Sequence, residues 1–81
     1  MKRRVRLRSF DGTRTAPADV SVHEDYWRLI GTTGVVLRTE RRFGAERALI
    51  EFDASVGELG LECHNENPNA LWIRVTDLEV V

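Results

Sequence analysis

Arg47-Ala48-Leu49-Ile50-Glu51-Phe52-Asp53 carries the most regular hydrophobic pattern in the chain. Ala48, Ile50 and Phe52 fall on one side of an extended backbone and Leu49, Glu51 and Asp53 on the other, the period of two that marks a half-buried β-strand. Working outward, residues 70–75 repeat the pattern, with Leu71, Ile73 and Val75 expected inward and Trp72 and Arg74 outward. Residues 4–10 begin with Val5 and Leu7 alternating with Arg4, Arg6 and Arg8, and Val35-Val36-Leu37-Arg38-Thr39 is rich in the β-branched residues that strands favour. No window long enough for a helix shows a helical period, so the chain is expected to be all-β.

The segments between these runs read as turns and loops. Asp11-Gly12-Thr13 supplies a turn, and residues 13–25, polar and containing Pro17, form a long early loop. Residues 26–30 return to an apolar run read as extended, in which adjacent Tyr26 and Trp27 face oppositely and at least one of them points inward. Gly31 and Gly34 predict positive φ or a tight bend, as a barrel corner requires. Residues 40–45 read as a charged turn around Gly44, and residues 54–69 are the longest irregular stretch. A short corner at Thr76-Asp77 leads into a last strand at 78–81. Together these describe a single domain over 1–81: a small closed barrel of about five antiparallel strands, with an open five-stranded sheet as the alternative.

Length and charge bound the function. At 81 residues the chain has room for one core. A lone cysteine, Cys63, permits no internal disulfide, so the expected compartment is the reducing cytoplasm. The basic start lacks the apolar segment of a signal peptide, and no stretch has the length of a membrane span. The net charge of −1 conceals a division: residues 1–50 hold 11 Lys/Arg against 6 Asp/Glu, and residues 51–81 hold 1 against 7. Such asymmetry marks either a polyanion-binding face or opposite charges meeting across neighbouring strands.

Two segments resemble known families. Leu29-Ile30-Gly31-Thr32-Thr33-Gly34-Val35-Val36-Leu37 resembles a KOW-type element, with Thr32 and Thr33 where lysines are usual. The resemblance implies an SH3-like barrel and contact with RNA or the ribosomal and transcription machinery. Residues 69–79 resemble the closing strands of small bacterial SH3-like proteins of unassigned function. The acidic-aromatic motifs that grip proline-rich peptides are missing.

Catalytic chemistry lacks its residues. Cys63 and His64 are neighbours that an extended backbone points apart, His23 is distant in sequence, and the paired spacings of a structural zinc site are absent, so neither a nucleophile nor a metal centre nor a cofactor is expected. The Gly31–Gly34 run is followed by a strand where a phosphate loop needs a helix. The expected function is therefore a non-catalytic binding module for a protein partner. Trp72 is its anchor, His64, Asn65 and Asn67 form a polar rim beside it, and Trp27 is a further candidate. The same asparagines are also explained as turn formers. The runner-up is RNA binding through Arg4, Arg6, Arg8, Arg38, Arg41 and Arg42, which needs the first strand and the 39–46 turn to be neighbours. An accessory subunit of an enzyme complex is a third possibility.

Overall fold

The alternation at Ala48, Ile50 and Phe52 does what its period requires: all three are buried on the inner face of β3 (Ala45–Phe52). The computed structural model describes residues 3–63 and 65–81. It contains four further strands, β1 (Arg4–Leu7), β2 (Thr33–Arg42), β4 (Ala70–Arg74) and β5 (Leu78–Val80). All five join one antiparallel sheet in the order β4-β3-β2-β1-β5. Helical structure among the described residues is confined to short 3-10 turns.

β4 and β5 are opposite edges of the sheet, yet they are joined by the three-residue 3-10 turn Val75–Asp77. A flat sheet of this order would hold its edges about 19 Å apart, while such a turn rises only about 6 Å. The sheet therefore rolls on itself in the manner of a small barrel. Val5, Leu7, Ile50, Phe52, Leu71 and Ile73 fill the interior, closed at one side by Tyr26, Leu29, Val56 and Leu61 from the loops.

Several expectations are corrected. β1 ends at Leu7: Arg8 N–H still bonds the Asp77 carbonyl (2.9 Å) in register with β5, but beyond it the chain turns, with Phe10 pairing with Thr13. Tyr26–Leu29 is a 3-10 turn rather than extended chain, and it buries Tyr26 and Leu29 on one side. The charged turn of residues 40–45 shrinks to Phe43-Gly44, with β2 continuing to Arg42. Val75 is 41% exposed, since the backbone leaves β4 at Arg74 and its inward alternation stops there. Of the two glycines, Gly31 has positive φ (94°), whereas Gly34 answers to close approach: a Cβ there would lie 2.5 Å from the Glu51 carbonyl oxygen.

The ladder between β2 and β3 is interrupted once. Val36 pairs with Ile50 and Arg38 with Leu49, so Leu37 is an extra residue, a β-bulge. A bulge reverses which residues face inward. Gly34 and Val36 share the inner face with Phe52 and Ile50, whereas Arg38, Glu40 and Arg42 share the outer face with Leu49, Arg47 and Ala45. Had the pairing continued without it, those three charges would have pointed into the barrel.

The long loop is ordered by its own asparagines. Asn67 N–H donates to Asn65 Oδ1 (2.8 Å) and Asn69 N–H to Asn67 Oδ1 (2.8 Å), a pair of successive Asx turns. Asn69 Oδ1 accepts from Val56 N–H (2.8 Å), while its Nδ2 donates to the Phe52 (2.7 Å) and Ala54 (3.0 Å) carbonyls. Asp77, 1% exposed, plays a similar part at the other end, accepting from Ser9 Oγ (2.5 Å) and Gly12 N–H (3.0 Å).

Candidate partner-binding site

Trp72 leaves β4 on the outer face, opposite Leu49, which in turn lies opposite Arg38. Through the bulge at Leu37 the β2 arginines reach the same face, and their guanidinium groups lie over the indole, Arg42 at 4.5 Å from the ring centroid and Arg38 at 5.4 Å. Glu40 stands between them, 3.1 Å from Arg38 and 3.6 Å from Arg42, and fixes the two cations above the ring. Covered in this way, Leu49 is only 8% exposed although it points away from the core.

Phe43, at the tip of the β2–β3 hairpin, is 84% exposed. Its φ is +52° and that of Gly44 is +76°, the sign pattern of a type I′ turn. Such turns favour asparagine, aspartate or glycine at the first central position, and a bulky side chain held there is strained. Arg42 and Arg47 approach its ring at 5.8 and 5.7 Å. An exposed aromatic in a disfavoured conformation is the kind of local strain that clusters at binding sites.

Between this array and the β1–β2 loop lies a cleft of about 220 Å³, lined by Phe10, Tyr26, Arg42, Phe43, Asn65, Leu71 and Trp72. Phe10 packs against Tyr26 (centroids 5.3 Å apart) and edge-on against Trp27 (4.8 Å), which makes the loop wall a small aromatic cluster. Tyr26 Oη donates to the Glu62 carbonyl (2.5 Å). Burial, with Glu24, Cys63 and Glu62 nearby, pushes the Tyr26 phenol above its ordinary range. Cys63 is half-buried, and burial likewise raises its thiol, which keeps it a poor nucleophile at neutral pH.

The structure brings together Trp72, Arg38, Arg42 and Asn65 from the residues singled out in the sequence. Asn67 is committed to the Asx turns and to Glu51 Oε2 (3.0 Å). Trp27 donates its Nε1–H to Thr13 Oγ1 (2.9 Å) and supports the loop wall rather than lining the cleft. The expectation for His64 lies outside the described residues.

The first-strand arginines stand apart. Arg4 pairs with Asp53, Arg6 with Glu79 (3.3 Å), and Arg8 donates to the Thr76 carbonyl (3.2 Å). Arg4 lies opposite Val35, seven residues from Arg42 along β2, about 23 Å of strand. Arg41, opposite Glu46, faces the other side of β2 from Arg38 and Arg42. Thr33 and Arg4 hold the Asp53 carboxyl below its ordinary range, so its contribution to stability is present above the unfolded-state value and is lost as pH falls through the folded one.

Sequence reasoning missed Phe43 and Phe10. The signal for the array was present: residues 34 and 36 are small or apolar while 38, 40 and 42 are charged, and this change at constant spacing is what a bulge at 37 produces.

Among the described residues no group of three or more His, Cys, Asp or Glu could hold a metal ion, and no helix is long and apolar enough to cross a membrane. Compared with protein-family models, with curated proteins and with solved structures, the chain has no match in any of the three.

Proposed function

We propose that this chain is an SH3-like, non-catalytic module that binds a protein partner through the cleft bounded by Trp72, Phe43, Arg42 and the Phe10–Tyr26 wall. The SH3-like reading is supported by the strand order, the long β1–β2 connection and the 3-10 turn before the last strand. The observation that carries the binding reading is Phe43, a large apolar side chain 84% exposed on a residue whose backbone favours a small polar one. Tryptophan, tyrosine and arginine around a largely apolar pocket are the residue types that dominate protein interfaces. An accessory subunit of an enzyme complex would use such a surface in the same way.

Phe43→Asn separates function from folding. Relief of left-handed strain is worth about 1–2 kcal/mol, whereas removing the ring forfeits roughly 0.5–1 kcal/mol for each exposed cation–π interaction with Arg42 and Arg47. The two ranges offset, so the expected result is a folded variant within about 1 kcal/mol of the parent, with a melting temperature within several degrees of it. It should also fail to capture the partners that the immobilised parent chain retains. Unchanged partner recovery by a folded Phe43→Asn variant would refute the reading.

RNA binding is a second reading, favoured by the stacking of Arg38 and Arg42 on Trp72, since arginine–aromatic surfaces also stack bases. A phosphate-driven complex weakens steeply between low and moderate salt. Absence of binding to mixed cellular RNA at low salt removes it.

A further inference from the structure

The cleft touches both Trp72 and Leu71, whose side chains leave opposite faces of β4, so it straddles that strand's free edge. The ladder alternation fixes which residues present main-chain groups there. Phe52 N–H donates to the Asn69 carbonyl (3.1 Å), which makes Phe52/Asn69, Ile50/Leu71 and Ala48/Ile73 the hydrogen-bonded pairs of β3 and β4. Ala70, Trp72 and Arg74 therefore aim their N–H and C=O away from β3.

At Ala70 the loop has taken both groups: the Asn67 carbonyl accepts its N–H (3.4 Å) and Asn65 Nδ2 donates to its carbonyl (2.7 Å). At Trp72 neither outward group has a partner among the described residues. The asparagine loop thus acts as a short false strand that ends one ladder step before Trp72.

Charge identifies what continues it. Arg47 and Arg74 lie opposite each other on the outer face, and neither has an ion-pair partner among the described residues; Arg47 Nε–H donates instead to the Arg42 carbonyl (3.3 Å) and its guanidinium lies over Phe43. Arg42 and Arg38 share one carboxylate, Glu40. A ligand carrying carboxylates on alternate residues supplies the anionic partners that Arg47 and Arg74 lack.

We infer that the β4 edge at Trp72 receives an extended acidic segment of a partner protein as an added strand, its main chain bonding Trp72 N–H and C=O and its carboxylates reaching Arg47 and Arg74. The inference rests on the protein-binding reading above and names its partner chemistry. With so few main-chain groups on offer at this edge, the side-chain contacts supply most of the affinity and the strand pairing supplies the register.

The test titrates the full chain with a short amidated peptide alternating glutamate and valine, followed by amide NMR. Controls are the lysine-valine analogue, the same acidic peptide N-methylated at alternate residues, and polyuridylate. The expected result is a downfield shift of the Trp72 amide on adding the acidic peptide. Binding should be at least about tenfold weaker for the N-methylated peptide, and about tenfold weaker for Arg74→Glu, which then prefers the lysine peptide.

Equal binding of the parent and N-methylated peptides overturns strand addition while leaving the cleft as a protein site. An unmoved Trp72 amide in a saturated complex does the same. Displacement of the acidic peptide from Trp72 by polyuridylate at moderate salt, together with unchanged partner recovery by Phe43→Asn, overturns both readings in favour of RNA.

Discussion

Gly34→Ala is expected to lower the stability of the chain by about 2–5 kcal/mol, a large share of what it has. The added methyl would lie 2.5 Å from the Glu51 carbonyl oxygen and 2.9 Å from Ile50 Cγ2. The first of these is backbone in the adjacent strand and cannot swing aside. Gly34 is buried and paired on both sides, with Val5 in β1 and Phe52 in β3, so relief requires parting two ladders at the middle of the sheet. Overpacking alone costs about 1–3 kcal/mol, and broken ladder bonds add to it. A domain of this size has only about 4–12 kcal/mol in total. Urea denaturation followed by far-ultraviolet circular dichroism measures the change. Gly31→Ala is the matched control: its φ is +94° but nothing lies within 4 Å of the new methyl, so it should cost only the backbone strain, about 1–2 kcal/mol. Equal midpoints for the two variants would contradict the close approach of β2 and β3.

Asn69→Ala is expected to be the most damaging change among the loop polar residues, at about 2–4 kcal/mol. One amide bonds Val56 N–H, the Phe52 carbonyl and the Ala54 carbonyl, tying the start of the long loop to its end. Val56 is fully buried, so its N–H is left without a partner in the variant. Asn69→Asp keeps the acceptor and loses both donors. At neutral pH it should be at least as unstable as Asn69→Ala, because a carboxylate then faces two carbonyl oxygens. Protonation restores a donor, so its deficit relative to the parent should shrink as pH falls, which the alanine variant should not do. Parallel pH profiles for the two variants would refute the assigned bonds.

The legible parts of this fold were those where one physical constraint repeats along the chain. Ala48, Ile50 and Phe52, and Leu71 and Ile73, were readable because a strand with one wet face must alternate, and Trp72 was readable as outward for the same reason. The 3-10 turn at Tyr26–Leu29 was not, since a single turn is too short to show a period and a short apolar run reads equally well as extended chain. Half of the candidate site was visible. Trp72, Arg38 and Arg42 stand out in the sequence, but the condition for one continuous basic patch, that the first strand adjoin the 39–46 turn, is not met because β1 pairs with the opposite end of β2. Phe43 stayed hidden: its neighbours Arg41, Arg42 and Gly44 read as a solvated turn, and nothing in composition reveals that an aromatic occupies the left-handed position. Leu49, on the outward side of the alternation, is nonetheless buried because side chains from two other strands cover it.

The pairing of Val5 with Val80 has a consequence for the order in which the molecule assembles. The β2–β3 hairpin closes over two residues, whereas β1 meets β5 only after nearly the whole chain has been gathered. Loop-closure entropy makes the second event the late one, so the hairpin and β4 should belong to the folding nucleus and β5 should dock afterwards. Substitutions beneath the hairpin would then slow folding, while those under β5 would chiefly hasten unfolding. The side of the molecule that carries Trp72 and Phe43 would therefore be complete before the barrel shuts.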